Sequence, residues 1–291
     1  MYNILKTIRR SVIAIAVMQM ITACSSPQTA DNESVYVSIL PLRGLLQEIV
    51  GKDLRIDVLV PAGASPETFE PTPRQFVALN RAQLIFDIGL LDFETALLQK
   101  VDDSQKIVNL SEGIELLAGS CSHIHADGHR HAHGIDPHIW TSPQALQRMA
   151  ANAYTAIRRI YPDSTRYEDN YRRLQAKLAA LDAQTASMLT ESGVQLFVIY
   201  HPALTYYAHD YGLQQVAIEE DGKEPSARHL ARLIEQARAS RVKHIFYQSQ
   251  FPATAVEVIA GDIGAEPVQI DPLREDIIAN IEEITRLITA Q

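Results

Sequence analysis

From Val35 onward, short runs of β-branched and other apolar residues alternate with longer segments whose apolar positions recur every three to four residues. The runs at 35–39, 55–60, 84–88 and 106–110 read as strands buried on both faces of a parallel sheet. Between them, 42–50 and 72–80 have the length and spacing of crossover helices. Pro71 and Pro73 mark the start of the second, where a fixed φ and a missing N–H are tolerated. A helix over Pro143–Ile160 follows. The strand pattern then returns at 195–200, 214–218, 243–247 and 267–270, with helices between and a closing helix over 275–289. Separating the two series, 163–191 contains neither Gly nor Pro and sets Tyr167, Tyr171, Leu174, Leu178, Leu181 and Met188 close to one helical stripe. At 1.5 Å per residue, about 29 residues span roughly 40 Å, the length of both halves. The predicted class is α/β: two βα lobes with mainly parallel sheets, over 35–160 and 192–291. One long rigid helix over 161–191 joins them, and a ligand cleft lies between.

Length agrees with two lobes, because single cores stop growing at about 250 to 300 residues and this chain has 291. A formal charge of -9 excludes a general nucleic-acid binder, which needs clustered Lys and Arg to displace counterions from phosphates. The N-terminus changes the picture more. Lys6, Arg9 and Arg10 precede an apolar run over 11–22 that is too short for an ordinary bilayer span and reads as an export signal over 1–23. Ile21-Thr22-Ala23-Cys24 resembles the bacterial lipoprotein cleavage box, which makes Cys24 the lipidated mature N-terminus and 24–34 a polar tether. Cys121 is then left without an intramolecular partner, so stability must come from the core rather than from disulfides.

Open α/β sheets bind ligands beyond the carboxyl ends of their strands. The segments there are Pro61 through Pro73, containing Glu67 and Glu70, then Asp136-Pro137-His138, His201-Pro202 and Asp271-Pro272. They place metal-capable side chains beside prolines that stiffen the backbone, and together they supply two imidazoles and two carboxylates.

At these residues the chain resembles the metal-binding substrate proteins of bacterial zinc and manganese uptake transporters of the ATP-binding-cassette type. The resemblance rests on Glu70-Pro71-Thr72-Pro73, Asp136-Pro137-His138-Ile139-Trp140, Tyr200-His201-Pro202-Ala203, Gly222-Lys223-Glu224-Pro225-Ser226 and Ile270-Asp271-Pro272-Leu273, in family order. It implies one metal ion in the cleft, His138, His201 and Asp271 as ligands, and delivery to a membrane permease. Where most members place a His in the first loop, this chain has Glu67. A carboxylate oxygen is an acceptable zinc ligand, so Glu67, His138, His201 and Asp271 make a reasonable tetrahedral set. Water and a borrowed loop His are the alternatives for the fourth place. Zn2+ is the expected cargo, with Mn2+ or Fe2+ as alternatives because an oxygen ligand suits harder cations. Glu70 reads as structural, while Glu219, Glu220 and Glu224 are candidates to orient the His ligands.

His123, His125, His129, His131 and His133 lie within eleven residues of a Gly- and Asp-containing loop over 120–134. Such spacing fixes no single geometry and implies weak, exchangeable metal binding that fades as imidazoles protonate. No His-Glu-x-x-His helix, nucleophile elbow or phosphate loop supports an enzyme. The rivals to a transport protein are a zinc-dependent hydrolase and a metal-buffering or adhesin lipoprotein. The expectation is a monomeric, lipid-anchored envelope protein facing the extracytoplasmic side.

Overall fold

The structure, a computed structural model, describes residues 34–119, 134–219, 225–251 and 253–290. The signal segment, the tether, Cys24, Cys121, the five loop histidines, Glu220 and Glu224 lie outside the described residues. From Ser34 on, the chain forms one compact unit that contains two four-stranded sheets, both wholly parallel.

The first sheet comprises β1 (Ser34–Val37), β2 (Arg55–Val58), β3 (Leu84–Asp87) and β4 (Ile107–Asn109), in the order β2-β1-β3-β4. Its helices are α1 (Leu40–Val50), α2 (Pro73–Arg81) and α3 (Asp92–Leu98). Thr72 caps α2 with its side chain on the Gln75 N–H, and the Gln75 side chain returns to the Thr72 N–H at 2.9 Å, so two orphan donors are satisfied reciprocally. After α4 (Pro143–Ile160) comes α5 (Thr165–Ser192), 28 residues long. Ser164 caps its start, and Gly193, at φ 69°, ends it in the left-handed conformation that a side chain would resist. The second sheet follows with β5 (Leu196–Ile199), β6 (Gln214–Ala217), β7 (His244–Gln248) and β8 (Glu266–Ile270), in the order β6-β5-β7-β8. Its helices are α6 (Thr205–Asp210), α7 (Ala227–Ala239), α8 (Ala253–Ile263) and α9 (Ile277–Thr289).

The strands, the long helix and the α/β class agree with the sequence pattern. Helix α6 falls between two strands where the pattern expects a helix, whereas α3 has no counterpart in it, because seven residues are fewer than two turns and show no period.

One apolar core runs from Val37 and Phe86 of the first sheet, through Leu146, Leu174 and Leu178, to Phe197, Phe246 and Ile270 of the second. The strand alternation explains how β5 serves two layers: Phe197 and Ile199 face this core, while Leu196 and Val198 face a smaller one closed by Leu233 and Val256. The halves also meet at α1, where Arg43 pairs with Glu275 through Nε–Oε1 at 2.7 Å and a second, shorter contact. Next to it, Gly44 lies so close to the Glu275 carbonyl that a Cβ there would overlap it. Within the first lobe, Glu94 is fully buried and accepts main-chain N–H bonds from Ile88, Leu90 and Leu91 at 3.1 to 3.2 Å. The nearby Asp87 is also buried, but its Oδ1 has no hydrogen-bond partner among the described residues. Burial, followed by the charge of Glu94, pushes Asp87 up to about 8.

Candidate metal centre

Three loops at the carboxyl ends of the sheets meet between the lobes. The loop after β2 carries Glu67, whose N–H bonds Ser65 Oγ at 3.3 Å. It follows the buried Pro66 and turns a partly exposed carboxylate inward. A short antiparallel stem precedes His138: Ala118 bridges Ile135, and Asp136 N–H donates to the Leu117 carbonyl at 2.9 Å. His138 then caps a single 3-10 turn over Ile139–Thr141. His201 lies two residues beyond the end of β5 and is gripped on both sides of its backbone by Gln248 of β7, which donates to the His201 carbonyl at 2.8 Å and accepts from its N–H at 3.4 Å. Both rings are buried. Phe251 stacks on His201, with centroids 5.1 Å apart at 16°, and Trp140 lies 5.1 Å from the His138 ring.

The inner faces converge. His201 Nε2 is 3.0 Å from Glu67 Oε1 and 3.4 Å from His138 Nε2. The three candidate ligand atoms of Glu67, His138 and His201 all lie within 4.8 Å of one another, as one metal ion requires. The outer ring nitrogens are already committed. His138 Nδ1 bonds Asp136 Oδ1 at 2.9 Å, and His201 Nδ1 bonds Glu219 Oε2 at 3.0 Å. A carboxylate on Nδ1 holds the proton there and turns the Nε2 lone pair toward the shared point, the arrangement that raises ligand basicity in metal sites. The cavity these residues line holds about 30 Å³, room for one ion or water and far below the 300 Å³ or more of an organic-ligand pocket.

Electrostatics agree with a cation at this point. Burial acts to lower His201, but hydrogen bonds to Glu219 and Glu67 outweigh it and raise the group to about 9. Burial acts to raise Glu67, and its bond to His201 more than reverses that, leaving it below the usual carboxylate range. Asp136 is lowered in the same way, burial being outweighed by His138 and by a hydrogen bond from Thr205. A proton on His201 Nε2 and a bound cation would compete for the same lone pair, the one that faces Glu67 Oε1 at 3.0 Å.

Of the four expected ligands, Glu67, His138 and His201 are brought together and Asp271 is not. Asp271 is exposed, its Oδ1 accepts the Leu273 N–H at 3.0 Å and its carbonyl accepts from Asn280 at 2.8 Å, so the side chain is turned onto its own loop. Its neighbours Pro272 and Leu273 do line the cavity, and Trp140 Nε1 donates to the Pro272 carbonyl at 2.9 Å. Glu70 is exposed. Among the three acidic candidates for orienting a ligand, Glu219 performs that contact, while Glu220 and Glu224 fall outside the described residues. Asp136, part of the Asp136-Pro137-His138 motif, is a further functional residue of the site. Its position two residues before a His, across a proline, was the signal that it could bond both the His138 N–H, at 2.8 Å, and the ring. Gln248 and Thr205 gave no sequence signal.

Residues 35–289 match the family model of the periplasmic zinc-uptake complex component A. The chain belongs to this family. Its members are components of an uptake complex, extracytoplasmic and not enzymes. The chain is 28% identical over 270 residues to the high-affinity zinc uptake system protein ZnuA of Bacillus subtilis, covering 87% of this chain and 85% of that protein. It is 26% identical over 264 residues to the zinc-binding lipoprotein AdcA of Streptococcus pneumoniae, of which it spans only 52%. A solved structure of ZnuA superposes with a TM-score of 0.79 at 32% identity, covering 88% of this chain and 98% of that one. That agreement over nearly the whole solved chain confirms the two-lobe α/β architecture. Among the described residues no helix is long and apolar enough to cross a membrane.

Proposed function

We propose that this protein captures one zinc ion between its lobes and delivers it to an ATP-binding-cassette permease for uptake. The observation that carries the proposal is the convergence of two imidazole Nε2 atoms and one carboxylate oxygen, with both Nδ1 atoms held by carboxylates. Glu67, His138 and His201 are the proposed core ligands. Asp271 is the proposed fourth, exchanging the Leu273 N–H for the ion. Two nitrogens and two oxygens form an acceptable tetrahedral zinc site, and zinc outranks manganese and ferrous iron for most mixed sites. Membership of the zinc-uptake family and the likeness to ZnuA support zinc over the alternatives. A second reading, manganese as cargo, is favoured by one feature only, the Glu67 oxygen at a position where nitrogen would be softer.

Around this site we propose lobes over 35–160 and 192–291 with a rigid connection over 161–191, in a monomer. Lipid on Cys24 would hold the protein at the envelope membrane, and His123, His125, His129, His131 and His133 would collect zinc weakly beside the cleft. The deciding experiment is a competition titration of zinc against manganese, on the mature chain lacking 122–134 and on its Glu67→Ala and Asp271→Ala variants. One tight zinc per chain, preferred over manganese and weakened in both variants, is the expected result. Preference for manganese would reassign the cargo, and the absence of a tight site would refute the proposal.

A further inference from the structure

The two carboxylates that orient the imidazoles are anchored differently. Glu219 follows β6 and lies in the same lobe as His201, the ring it holds. Asp136 belongs to the first lobe together with His138, yet its other oxygen, Oδ2, accepts a 2.6 Å hydrogen bond from Thr205 Oγ1 in the first turn of α6, across the cleft. Thr205 Oγ1 in turn accepts from Gln215 Nε2 of β6 at 2.9 Å, and Gln215 Oε1 is fixed by the Leu204 N–H at 2.8 Å. Donor polarity is consistent along the whole chain. The amide of Gln215 donates to the hydroxyl, the hydroxyl gives its one proton to Asp136 at 2.6 Å in preference to the more distant Pro202 carbonyl at 3.3 Å, and Asp136 is left acceptor-only for the ring N–H of His138. The adjacent residue grips the same target from the main-chain side, because Tyr206 Oη donates to the Asp136 carbonyl at 2.9 Å and accepts the Leu117 N–H at 3.1 Å. Asp136 is only 3% exposed, so water does not replace these bonds freely.

We propose that Thr205, backed by Gln215, is a positioning residue for metal retention: it reaches from the second lobe to fix the Asp136 carboxylate, and through it the tautomer and orientation of the His138 ring. This inference rests on the metal site proposed above. Retention of the ion then depends on the lobes being in register even at a ligand whose own loop belongs to one lobe. Losing an outer hydrogen-bond partner of a metal-bound His typically weakens metal binding 10- to 100-fold. Thr205 is one bond further out, so the low end of that range, about tenfold, is expected.

The test uses the mature protein loaded with zinc, with the dissociation rate read by chelator chase and the His138 Nδ1–H signal followed by nitrogen-15 correlation spectroscopy. Thr205→Val keeps the shape and removes the hydroxyl. It should speed dissociation about tenfold, leave the association rate unchanged and shift or broaden the His138 Nδ1–H signal. Thr205→Ser, which restores the hydroxyl, should restore both readouts. A merely structural role would lower the melting temperature of the metal-free protein without moving that ring signal. If Thr205→Val does not fold, Gln215→Met removes the supporting donor instead and should change both readouts in the same direction by a smaller factor. Parent-like dissociation with an unshifted His138 signal, or failure of Thr205→Ser to rescue, overturns the inference while leaving the site intact. Absence of a tight cleft site in the parent protein overturns both readings together.

Discussion

Zinc binding should expel close to one proton per ion at pH 7.5, and most of it should come from His201. Its ring is held protonated up to about 9 because, against the effect of burial, Glu219 and Glu67 each bond one of its nitrogens. Zinc needs the Nε2 lone pair, so the proton facing Glu67 has to leave. At pH 7.5 the ring lies roughly 1.5 pH units below its titration point. Removing the proton therefore costs about 2 kcal/mol, roughly a 30-fold reduction of apparent affinity. Between pH 7 and 9 the logarithm of the apparent affinity should rise by about one per pH unit, and it should flatten above 9. The appropriate assay is calorimetric titration in buffers of contrasting protonation enthalpy, with the chain lacking 122–134 so that the His tract releases no protons of its own. Glu67→Gln removes one of the two carboxylates and should reduce the proton release at pH 7.5 while weakening zinc itself. Release near zero in the parent, or release unchanged in Glu67→Gln, would refute the reasoning. The same interaction has a folding signature of defined sign. A His raised above its unfolded value near 6.5 stabilises the metal-free fold fully below that pH and loses the contribution as pH rises through 9.

Two further predictions concern the scaffold. Asp87 keeps its proton in the fold up to about pH 8, whereas the unfolded chain releases it near 4, so parent stability should fall across that interval by up to about 1.4 kcal/mol per pH unit. Asp87→Asn should flatten this slope and leave the variant the more stable of the two at pH 8, measured by urea denaturation at pH 5.5 and 8; an unchanged slope would assign the parent's pH dependence to other groups. Gly44→Ala should force α1 away from the Glu275 carbonyl and destabilise the fold by about 1 to 3 kcal/mol, read as a lowered melting temperature; a parent-like value would mean the interface yields without cost.

Much of the architecture was legible in the sequence because strands buried on both faces leave apolar runs, as in Leu84, Ile85 and Phe86 of β3 and throughout Leu196–Ile199. The long helix was legible because nothing between Thr165 and Ser192 interrupts it. Three of the four expected ligands converge because strand ends and adjacent prolines fix where a loop points. Asp271 does not join them because a local competitor, the Leu273 N–H, takes its carboxylate, and such competition leaves no mark in composition or period. The supporting residues were harder still. Thr205 bonds Asp136 across 69 positions of sequence, and Gln248 grips His201 across 47, so neutral polar side chains become part of the site only through tertiary placement.

The apolar core that passes without a break from Phe86 to Phe246 bears on how cargo leaves. A cleft whose walls share one interior resists wide opening, because parting the lobes would expose that core to water. The holding time is then set by the ligands and by the hydrogen bonds that hold their rings, and unloading requires that the site be hydrated or protonated rather than swung wide. A shared interior of this kind makes the protein a closed carrier, whose ion leaves through the chemistry of its ligands and not through a parting of its halves.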